Sequence, residues 1–464
     1  MPNGMRKTIN NAMNKLIEKY NVAAPRYTSY PTVPYWDNTV PEQEQWKQLV
    51  KDSFIAGNSS EGISLYIHLP FCESLCTYCG CNTRITVNHK VEIPYIMALL
   101  NEWSMYLDLF EESPRIKEIH LGGGTPTFFS AAHLEQLIEA ILATAILCKD
   151  AELSFEAHPA NTTEEHLTTL YRLGFRRISL GIQDFDIHVQ HIINRVQSFD
   201  DVKRVTDLAR ACGYTSVNYD LIYGLPLQTK ESMADTIEKV IALHPDRIAF
   251  YSYAHVPWMK PGQRKFTEAD LPEGNVKRQL YEQGRKAFEA AGYVEIGMDH
   301  FSLPDDPLYI AEQLGGLHRN FMGYTTSHTQ LLVGLGVSSI SDSWYGFVQN
   351  EKKVEEYYKK IEQGMFPIVK GHILSQEDLV LRRHILNIMC TGETCWKKEE
   401  EQCEALYAGI ERLQEPEKDN LIHLTPFHLN VLPAGRPFLR NICMALDAKL
   451  WLKQPGQQVF SKTV

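Results

Sequence analysis

Four cysteines stand close together in one short stretch of the chain: Cys72, Cys76, Cys79 and Cys81. The first three leave gaps of three and then two residues, so one loop can fold its thiolates around a single cluster. Thiolate is the ligand that iron–sulfur clusters use, and such clusters normally take four of them. Three cysteines from one loop therefore predict a cluster in which one iron stays open to another molecule.

A structural zinc site is the alternative interpretation of closely spaced cysteines. Such sites usually contain two Cys-x2-Cys pairs, or cysteines together with histidines. The chain has no second pair, so we favour the cluster. The remaining cysteines are scattered, which predicts buried free thiols and a reducing cytoplasm. They are Cys148, Cys212, Cys390, Cys395, Cys403 and Cys443.

The element that carries this loop is a short apolar run, residues 63–69, whose alternation and β-favouring residues predict a strand that Pro70 ends. A Cys-x3-Cys-x2-Cys motif after a first strand resembles the signature of the radical S-adenosylmethionine (SAM) superfamily. In that superfamily the open iron is chelated by the amino and carboxylate groups of SAM. The resemblance implies a [4Fe-4S] cluster on Cys72, Cys76 and Cys79, with SAM as the second cofactor.

Residues around the motif narrow the resemblance. Cys81, together with Tyr66, His68 and Pro70 before the loop, resembles the oxygen-independent coproporphyrinogen III dehydrogenase family of haem biosynthesis. By this resemblance, Tyr66 and Tyr78 are expected to belong to the cofactor-binding residues.

Length and charge set limits on the function. At 464 residues and 53.1 kDa the chain is long enough for two or three domains. A net charge of −11 and a pI near 5.9 argue against nucleic-acid or anionic-membrane partners. The sequence contains no run of 18 apolar residues and no apolar signal core near its start. We therefore expect a cytoplasmic protein without a membrane partner.

Strand and helix patterns alternate between residues 63 and about 300. The intervening stretches, such as residues 95–110, have helical apolar spacing. This alternation predicts a parallel sheet with right-handed crossovers, and six units resemble the incomplete (β/α)6 barrel of the superfamily. In barrel enzymes the chemistry takes place at the carboxyl ends of the strands. The predicted strands are residues 63–69, 117–122, 151–157, 176–182, 216–224 and 247–254.

Residues 122–127, Gly-Gly-Gly-Thr-Pro-Thr, directly follow the second predicted strand. Glycine lacks Cβ, so backbone there can approach a ligand closely. The stretch resembles the glycine-rich segment that holds the amino group of SAM. The resemblance implies that Gly123 serves the cluster-bound SAM, and that Gly124 and Thr125 serve a second SAM molecule.

Other strand ends carry polar residues. Glu156 ends the third strand, where a SAM ammonium or ribose hydroxyl needs an acceptor. A strand-end carboxylate or amide taken alone more often caps the next helix. Their joint placement favours function, and further positions match family residues that bind the second SAM. They are Gln183, Arg195, Asp220, Ala254 and, beyond the barrel, Ile340.

An N-terminal helix is predicted over residues 6–20, followed by an irregular stretch at 25–32 that reads PRYTSYPT. This stretch resembles the family's N-terminal arm, which lies across the mouth of the active site. The sequence departs from the family at Met322, where glutamine is usual, and in residues 327–330. These departures concern the contacts to the second SAM or to the substrate.

Residues 365–464 are predicted to form a mainly helical region, with a helix in 379–390 and a β-ribbon in 423–438. We therefore expect three parts. The predicted domains are 1–60, a helix and arm; 61–364, the barrel and its extension; and 365–464, a helical domain.

The resemblance implies an oxidoreductase that decarboxylates two propionates of coproporphyrinogen III to the vinyl groups of protoporphyrinogen IX. Breaking an unactivated C–H bond requires a cofactor, here a 5′-deoxyadenosyl radical formed from SAM. Arginine suits carboxylate recognition, and Arg26, Arg264 and Arg319 are candidate substrate clamps. A haem-acting radical SAM methyltransferase that opens the macrocycle and a haem-binding chaperone remain as alternatives. Cys81 argues against the chaperone, because chaperone-type relatives usually have phenylalanine there.

The partners expected from the resemblance are a small tetrapyrrole substrate and a low-potential electron donor such as flavodoxin or ferredoxin. We expect a monomer, with two SAM molecules in each active site.

Overall fold

A computed structural model describes residues 15–37, 39–272, 274–453 and 460. The chain divides into two compact units. Unit 1 comprises residues 1–36, 311–325 and 374–464, and unit 2 comprises 37–310 and 326–373. The division into three domains, 1–60, 61–364 and 365–464, stays a prediction.

Unit 2 is built on parallel strands that follow one another along the chain. Each strand pairs with the next, and helices cross over between them. The incomplete (β/α)6 barrel is thereby confirmed. Its strands are β1 (Ile63–Leu69), β2 (Arg115–Gly123), β3 (Ile146–Ala157), β4 (Arg177–Gln183), β5 (Ser216–Tyr223) and β6 (Arg247–Ser252).

Amphipathic helices cover the outer face of these strands. Several begin at a residue whose side-chain oxygen accepts a hydrogen bond from the backbone three positions later, namely Ser130, Thr163, Ser198 and Thr229. The helices of unit 2 are α1 (Gln43–Gly57), α2 (Glu92–Leu107), α3 (Ala131–Leu142), α4 (Glu164–Arg172), α5 (Ile187–Ile192), α6 (Phe199–Cys212), α7 (Lys230–Leu243) and α8 (Gly274–Ala290).

The sheet extends beyond the six predicted strands on both sides. Strands β7 (Val294–Ile296) and β8 (His300–Ser302) continue it past β6. On the other side, β11 (Leu332–Leu335) pairs in parallel with β1 and is followed by an antiparallel meander. The meander strands are β12 (Ile340–Asp342), β13 (Gly346–Asn350) and β14 (Ile368–Ile373), and α10 (Val354–Glu362) lies between the last two. Twelve strands thus form one sheet.

The core of unit 2 lies between the sheet and its helices. Branched side chains from the strands and aromatic side chains from the helices fill it, including Ile67, Leu121, Phe155, Trp46 and Trp103. Each of these side chains is almost fully withdrawn from water, so the sheet forms a firm platform for residues at its edge. No helix in the part of the chain that is described is long and apolar enough to cross a membrane.

Unit 1 is mainly helical. Residues 15–20 are helical, and the rest of the helix predicted over 6–20 lies outside the described residues. Two small sheets accompany the helices: the hairpin of β9 (His318–Asn320) with β10 (Gly323–Thr325), and β15 (Glu393–Cys395), β17 (His428–Val431) and β16 (Ile422–Thr425), in that order. The latter sheet confirms the predicted ribbon in 423–438 and adds a strand. The helices are α9 (Pro307–Gln313, which continues from unit 2), α11 (Gln376–Thr391), α12 (Glu404–Arg412), α13 (Gln414–Lys418), α14 (Leu439–Leu446) and α15 (Ala448–Leu452).

The PRYTSYPT stretch is fastened within unit 1 by side chains from its C-terminal part. Arg440 donates from Nε to the carbonyl oxygen of Pro25 at 3.0 Å and from Nη2 to that of Ala24. The hydroxyl of Tyr27 donates to Asp447 at 3.1 Å. Tyr30 is 1% exposed, so the irregular backbone is held in place by buried contacts.

Candidate active site

A cavity of about 420 Å³ opens at the carboxyl ends of β1 to β6. The loop after β1 supplies its cysteines, and the strand ends supply its polar residues. Most of the predicted site residues line it together: Cys72, Cys76, Tyr78, Cys79, Gly123, Gly124, Thr125, Glu156, Gln183, Arg195 and Asp220. Residues far apart in sequence thus meet at one place because parallel strands end on the same side of a sheet.

The cysteine loop is pinned to the residues that follow α5. The amide of Thr77 donates to the carbonyl of Ile193 at 2.9 Å, and its hydroxyl donates to that of Ile192 at 3.0 Å. The side-chain amide of Asn194 donates to the carbonyl of Leu75 at 2.8 Å. These bonds fix the backbone on both sides of Cys76 and tie the loop to the segment at the end of α5.

The thiols differ in their surroundings. Burial raises the pKa of Cys72 to about 11, although Thr125 lies 3.4 Å from its sulfur and opposes the shift. A hydrogen bond from Cys81 lowers the pKa of Cys79 to about 6 against the effect of burial. Within the described residues, no three histidine, cysteine or acidic side chains converge on a point as a mononuclear metal site requires.

Two glycines let the second strand end run close to the first. A Cβ on Gly124 would lie 2.6 Å from the backbone carbonyl of Pro70, and a Cβ on Gly123 would lie 2.6 Å from the His68 ring. Gly123 also has φ of +113°, which side chains rarely tolerate. The close contact between the ends of β1 and β2 therefore already requires glycine at these two positions, whether or not they also contact a ligand.

Glu156 projects from the end of β3 into the cavity. Its Oε2 accepts a hydrogen bond from the amide of Gly123 at 3.2 Å, and its Oε1 lies 3.6 Å from Nε2 of His120. Burial acts to raise the pKa of this carboxyl, but His120 and then the Gly123 amide outweigh it and hold the pKa below its usual value. The cavity therefore contains an ionised carboxylate at neutral pH.

The pKa of Asp220 is shifted in the opposite direction to that of Glu156. It accepts hydrogen bonds from Ser179 and from Asn218, each at 2.9 Å. Burial, and then the neighbouring charge of Glu156, raise its pKa to about 6. Two carboxyl groups in one cavity thus differ in acidity, because one has basic and amide partners and the other faces a like charge.

Gln183, at the end of β4, and Arg195, which follows α5 and contacts β4, each have a side-chain atom without a partner in the described structure. Gln183 is 8% exposed, has φ of +61°, and its Oε1 accepts no hydrogen bond. Arg195 donates from Nη2 to the carbonyl of Gly181 at 2.7 Å, but its Nε has no acceptor. Unsatisfied buried polar atoms are costly, so a polar ligand that pairs with them fits this end of the cavity.

Three of the predicted cofactor-binding residues do not line the cavity, and neither do the candidate substrate clamps Arg26, Arg264 and Arg319. Tyr66 stacks on His120 with ring centroids 6.0 Å apart, and its hydroxyl lies 3.1 Å from Nδ1 of His68. The side-chain amide of Gln263 donates to the carbonyl oxygens of both Ala254 and Tyr78 and so bridges them. Ile340 begins β12 and pairs with Gln349. Their roles towards a ligand stay predictions.

Two other lining residues were given no role from the sequence. Tyr251, at the end of β6, has its hydroxyl 3.2 Å from Nε2 of His300, whose Nδ1 donates to a carbonyl oxygen. Burial and then Arg195 lower the pKa of His158 to about 3, so this histidine is neutral. The sequence signal was present, since both residues lie at ends of predicted strands, but neither belongs to a recognised motif.

The departure at residues 327–330 lies away from the cavity. Because β11 runs parallel to β1, the loop before β11 lies at the amino ends of the strands. Thr329 accordingly contacts Ser64, the second residue of β1, with 2.8 Å between their hydroxyl oxygens. This change in sequence therefore leaves the residues around the cysteine loop untouched.

Comparisons with known proteins agree with this geometry. Residues 66–240 match the radical SAM superfamily. The chain is 37% identical to the oxygen-independent coproporphyrinogen III oxidase of Helicobacter pylori, with 96% of this chain and 98% of the relative covered. It is 36% identical to the enzyme of that name from Escherichia coli, with 97% and 98% covered.

The fold agrees as well. The solved structure of coproporphyrinogen III oxidase from Escherichia coli, described as a radical SAM enzyme, superposes with a TM-score of 0.86 at 35% identity. The superposition covers 91% of this chain and 97% of that one. The chain therefore belongs to the oxygen-independent coproporphyrinogen III oxidase family of the radical SAM superfamily.

Proposed function

We propose that this protein is an oxidoreductase of haem biosynthesis that converts two propionates of coproporphyrinogen III to the vinyl groups of protoporphyrinogen IX. Each propionate loses carbon dioxide, a hydrogen atom from its β-carbon to the 5′-deoxyadenosyl radical, and one electron to an external one-electron acceptor. The observation that supports this most is the cavity in which Cys72, Cys76 and Cys79 lie beside the glycine-rich end of β2. Family membership over nearly the whole chain supports the same function.

The cofactors are a [4Fe-4S] cluster and SAM. Cys72, Cys76 and Cys79 are the ligands that would hold the cluster, since they share one loop and one cavity. Bound there, the reduced cluster and SAM together supply the abstraction of a hydrogen atom, which no side chain can perform. The protein's contribution is to bind, orient and shield these groups.

The cluster-bound SAM would be held mainly by the ends of β2 and β3. Gly123 leaves room for close approach, and Glu156 presents an ionised carboxylate that suits a SAM ammonium or a ribose hydroxyl. His120 and the Gly123 amide keep that carboxylate charged and fixed. Tyr66, stacked on His120, supports the same group from the side of β1.

A second SAM molecule would lie towards β4, β5 and β6. The unpaired Oε1 of Gln183 and Nε of Arg195 offer one acceptor and one donor. Asp220 adds a carboxyl whose hydrogen bonds already fix its orientation. Gly124, Thr125, Ala254 and Ile340 complete the proposed set.

We also propose the partners. The electron for the cluster would come from a low-potential donor such as flavodoxin or ferredoxin, because the chain itself contains no second cysteine motif for another cluster. We propose that the protein acts as a monomer, without nucleic acid or membrane, in the cytoplasm.

One assay tests the function. The reconstituted protein is incubated without oxygen with SAM, a reductant and coproporphyrinogen III, and a parallel sample lacks SAM. We expect protoporphyrinogen IX, with methionine and 5′-deoxyadenosine, in the complete sample only. An open tetrapyrrole formed from haem, or binding of tetrapyrrole without turnover, would contradict the proposal and favour a methyltransferase or a chaperone.

A further inference from the structure

Arg319 is a buried arginine in unit 1. It is the central residue of β9, where it pairs with Tyr324 of β10 across the hairpin. Its side chain is 7% exposed, and the guanidinium carbon lies 4.4 Å from the centroid of the Tyr324 ring. The charge is therefore withdrawn from water on the face of an aromatic ring, which compensates part of the lost hydration.

The hydrogen-bonding capacity of this side chain is mostly unused. A guanidinium has five N–H donors, and Nη2 of Arg319 donates one to the carbonyl of Arg26 at 3.3 Å. Neither Nε nor Nη1, which together carry three N–H groups, has an acceptor within the described structure. No carboxylate among the described residues lies within ion-pair distance of it.

Other buried arginines of the chain show what is missing. Arg247 in unit 2 donates from Nε to both carboxylate oxygens of Asp306 at 2.8 Å. Arg440 in unit 1 donates to the carbonyls of Ala24 and Pro25. A buried charge that lacks such partners is strongly unfavourable, and proteins normally provide a counter-ion or hydrogen-bond acceptors.

The residues described around Arg319 supply no counter-ion. Cys390 and Cys443 are buried nearby, but burial raises the pKa of Cys390 to about 12 and that of Cys443 further still, so both thiols remain neutral. Tyr324 donates its hydroxyl to the carbonyl of Met389 at 2.9 Å, so this hydroxyl is already engaged. No described residue supplies the anion, so the carboxylate of a ligand is a fitting partner for this guanidinium.

The turn beside Arg319 leaves space for a ligand. The side-chain oxygen of Asn320 accepts from the amide of Met322 at 2.9 Å, which closes the turn without using the guanidinium. Gly323 has φ of +113°, and no atom of the described residues lies within 4 Å of the position that its Cβ would take. The PRYTSYPT stretch orients the guanidinium through the Arg26 carbonyl and leaves Nε and Nη1 available.

We propose that Arg319 binds a carboxylate of the ligand and, given the proposed function on which this inference rests, one of the propionates of coproporphyrinogen III. Arginine pairs with carboxylates through charge-assisted hydrogen bonds, and the unused N–H groups at two different nitrogens supply them. Arg319 is thus a substrate-binding residue outside the barrel. The propionate it holds is kept from water by the same burial that isolates the guanidinium.

The test uses the anaerobically reconstituted holoprotein and coproporphyrin III, the oxidised macrocycle, which carries the same carboxylates and is not a substrate. Its dissociation constant is measured by fluorescence quenching for the wild type, Arg319→Met, Arg319→Lys and the control Arg383→Met, an exposed arginine of α11. The tetramethyl ester of the same porphyrin is titrated in parallel, because it lacks the charge that Arg319 would pair with.

We expect Arg319→Met to weaken binding of the free acid by about ten- to a hundredfold, as for a lost charge-assisted hydrogen bond. Arg319→Lys recovers part of the affinity, and Arg383→Met stays within about twofold of the wild type. Affinity for the ester should be the same in wild type and Arg319→Met. The unfolding temperature of Arg319→Met should equal or exceed that of the wild type, since an unpaired buried charge has been removed.

Equal affinity of wild type and Arg319→Met for the free acid would overturn the inference. So would a lower unfolding temperature of Arg319→Met with equal losses for acid and ester, because that result identifies a structural role. These outcomes are separate from failure of the proposed function, which would show as a wild-type protein without turnover of coproporphyrinogen III. A wild type that binds no coproporphyrin III would contradict both.

Discussion

Nη1 of Arg195 lies 3.8 Å from the sulfur of Cys76, so a positive charge stands beside one of the proposed cluster ligands. The same guanidinium donates from Nη2 to the carbonyl of Gly181 at 2.7 Å, which ties it to β4. Hydrogen bonds and positive charge near the sulfurs are among the factors that set the potential of an iron–sulfur cluster.

The charge of Arg195 should therefore be measurable at the cluster. The positive charge of Arg195 favours the reduced cluster, which carries one more negative charge than the oxidised cluster. We therefore expect Arg195→Gln to lower the midpoint potential of the reconstituted cluster. Arg195→Lys should keep most of the wild-type value. A redox titration followed by electron paramagnetic resonance makes the measurement, with the exposed Arg172→Gln as control. Identical potentials in all four proteins would show that Arg195 does not act on the cluster.

Close packing at the end of β2 gives a second prediction. In Gly124→Ala the new Cβ would lie 2.6 Å from the backbone of Pro70, whereas in Gly80→Ala it would meet no atom within 4 Å. Backbone cannot move aside as a flexible side chain can, so the strain should cost about 1 to 3 kcal/mol and displace the loop. We expect Gly124→Ala to bind SAM at least about tenfold more weakly, and Gly80→Ala to resemble the wild type. The SAM affinity of both variants is measured by calorimetric titration. Equal affinities would show that the close approach of Gly124 to Pro70 does not matter for SAM binding.

Glu156 should act through its charge. Its pKa lies below the usual value, so the carboxylate is ionised at neutral pH and loses its charge only as the pH falls through that lowered pKa. The contribution of Glu156 to SAM affinity should therefore be constant between pH 6 and pH 8. Glu156→Gln should weaken SAM binding by about ten- to a hundredfold, the range for a hydrogen bond to a charged group. The control is Glu139→Gln, an exposed position of α3, and a Glu156→Gln protein with wild-type affinity would contradict the assignment.

Asp220 should make the stability of the cofactor-free protein depend on pH. Its pKa is raised from 3.8 to about 6, so between these values the folded protein binds more protons at this site than the unfolded chain does. The contribution of this group to stability is thus greatest at low pH and is lost as the pH rises to about 6. Asp220→Asn has no such loss, and its amide can donate to the hydroxyl oxygen of Ser179. We expect the unfolding midpoint of the variant to rise relative to the wild type between pH 4 and pH 6.5. A constant difference across this range would show that the carboxyl is not buried as described.

The sequence predicted those parts of the fold that local pattern determines. Strand β1 and its cysteine loop were recognisable because alternation, Pro70 and the cysteine spacing are all local. Strand β11 was not predicted as a strand, because four residues, one of them glycine, carry no periodic signal and their pairing with β1 joins distant segments. Strands β7 and β8 were not predicted either, because three residues each are too few to show an alternating pattern.

The candidate site shows a similar division. Gln183 and Arg195 were identified by resemblance, but their unpaired atoms depend on how β4 and the segment after α5 approach each other. Tyr251 was missed because its significance arises from the contact with His300, which follows it by almost fifty residues. The lack of acceptors around Arg319 is likewise a property of the packed unit rather than of its sequence neighbours.

Cys76 is proposed as one of three cysteine ligands to a [4Fe-4S] cluster. The most direct measurement is the iron content and low-temperature paramagnetic resonance of anaerobically reconstituted, reduced protein, with Cys76→Ala compared to Cys212→Ala, a cysteine of α6 outside the cavity. We predict about four irons per chain and a cluster signal that SAM perturbs in the wild type and in Cys212→Ala. Both should be lost in Cys76→Ala, together with turnover. Zinc in place of iron, or full turnover by Cys76→Ala, would rule out an iron–sulfur cluster held by Cys76.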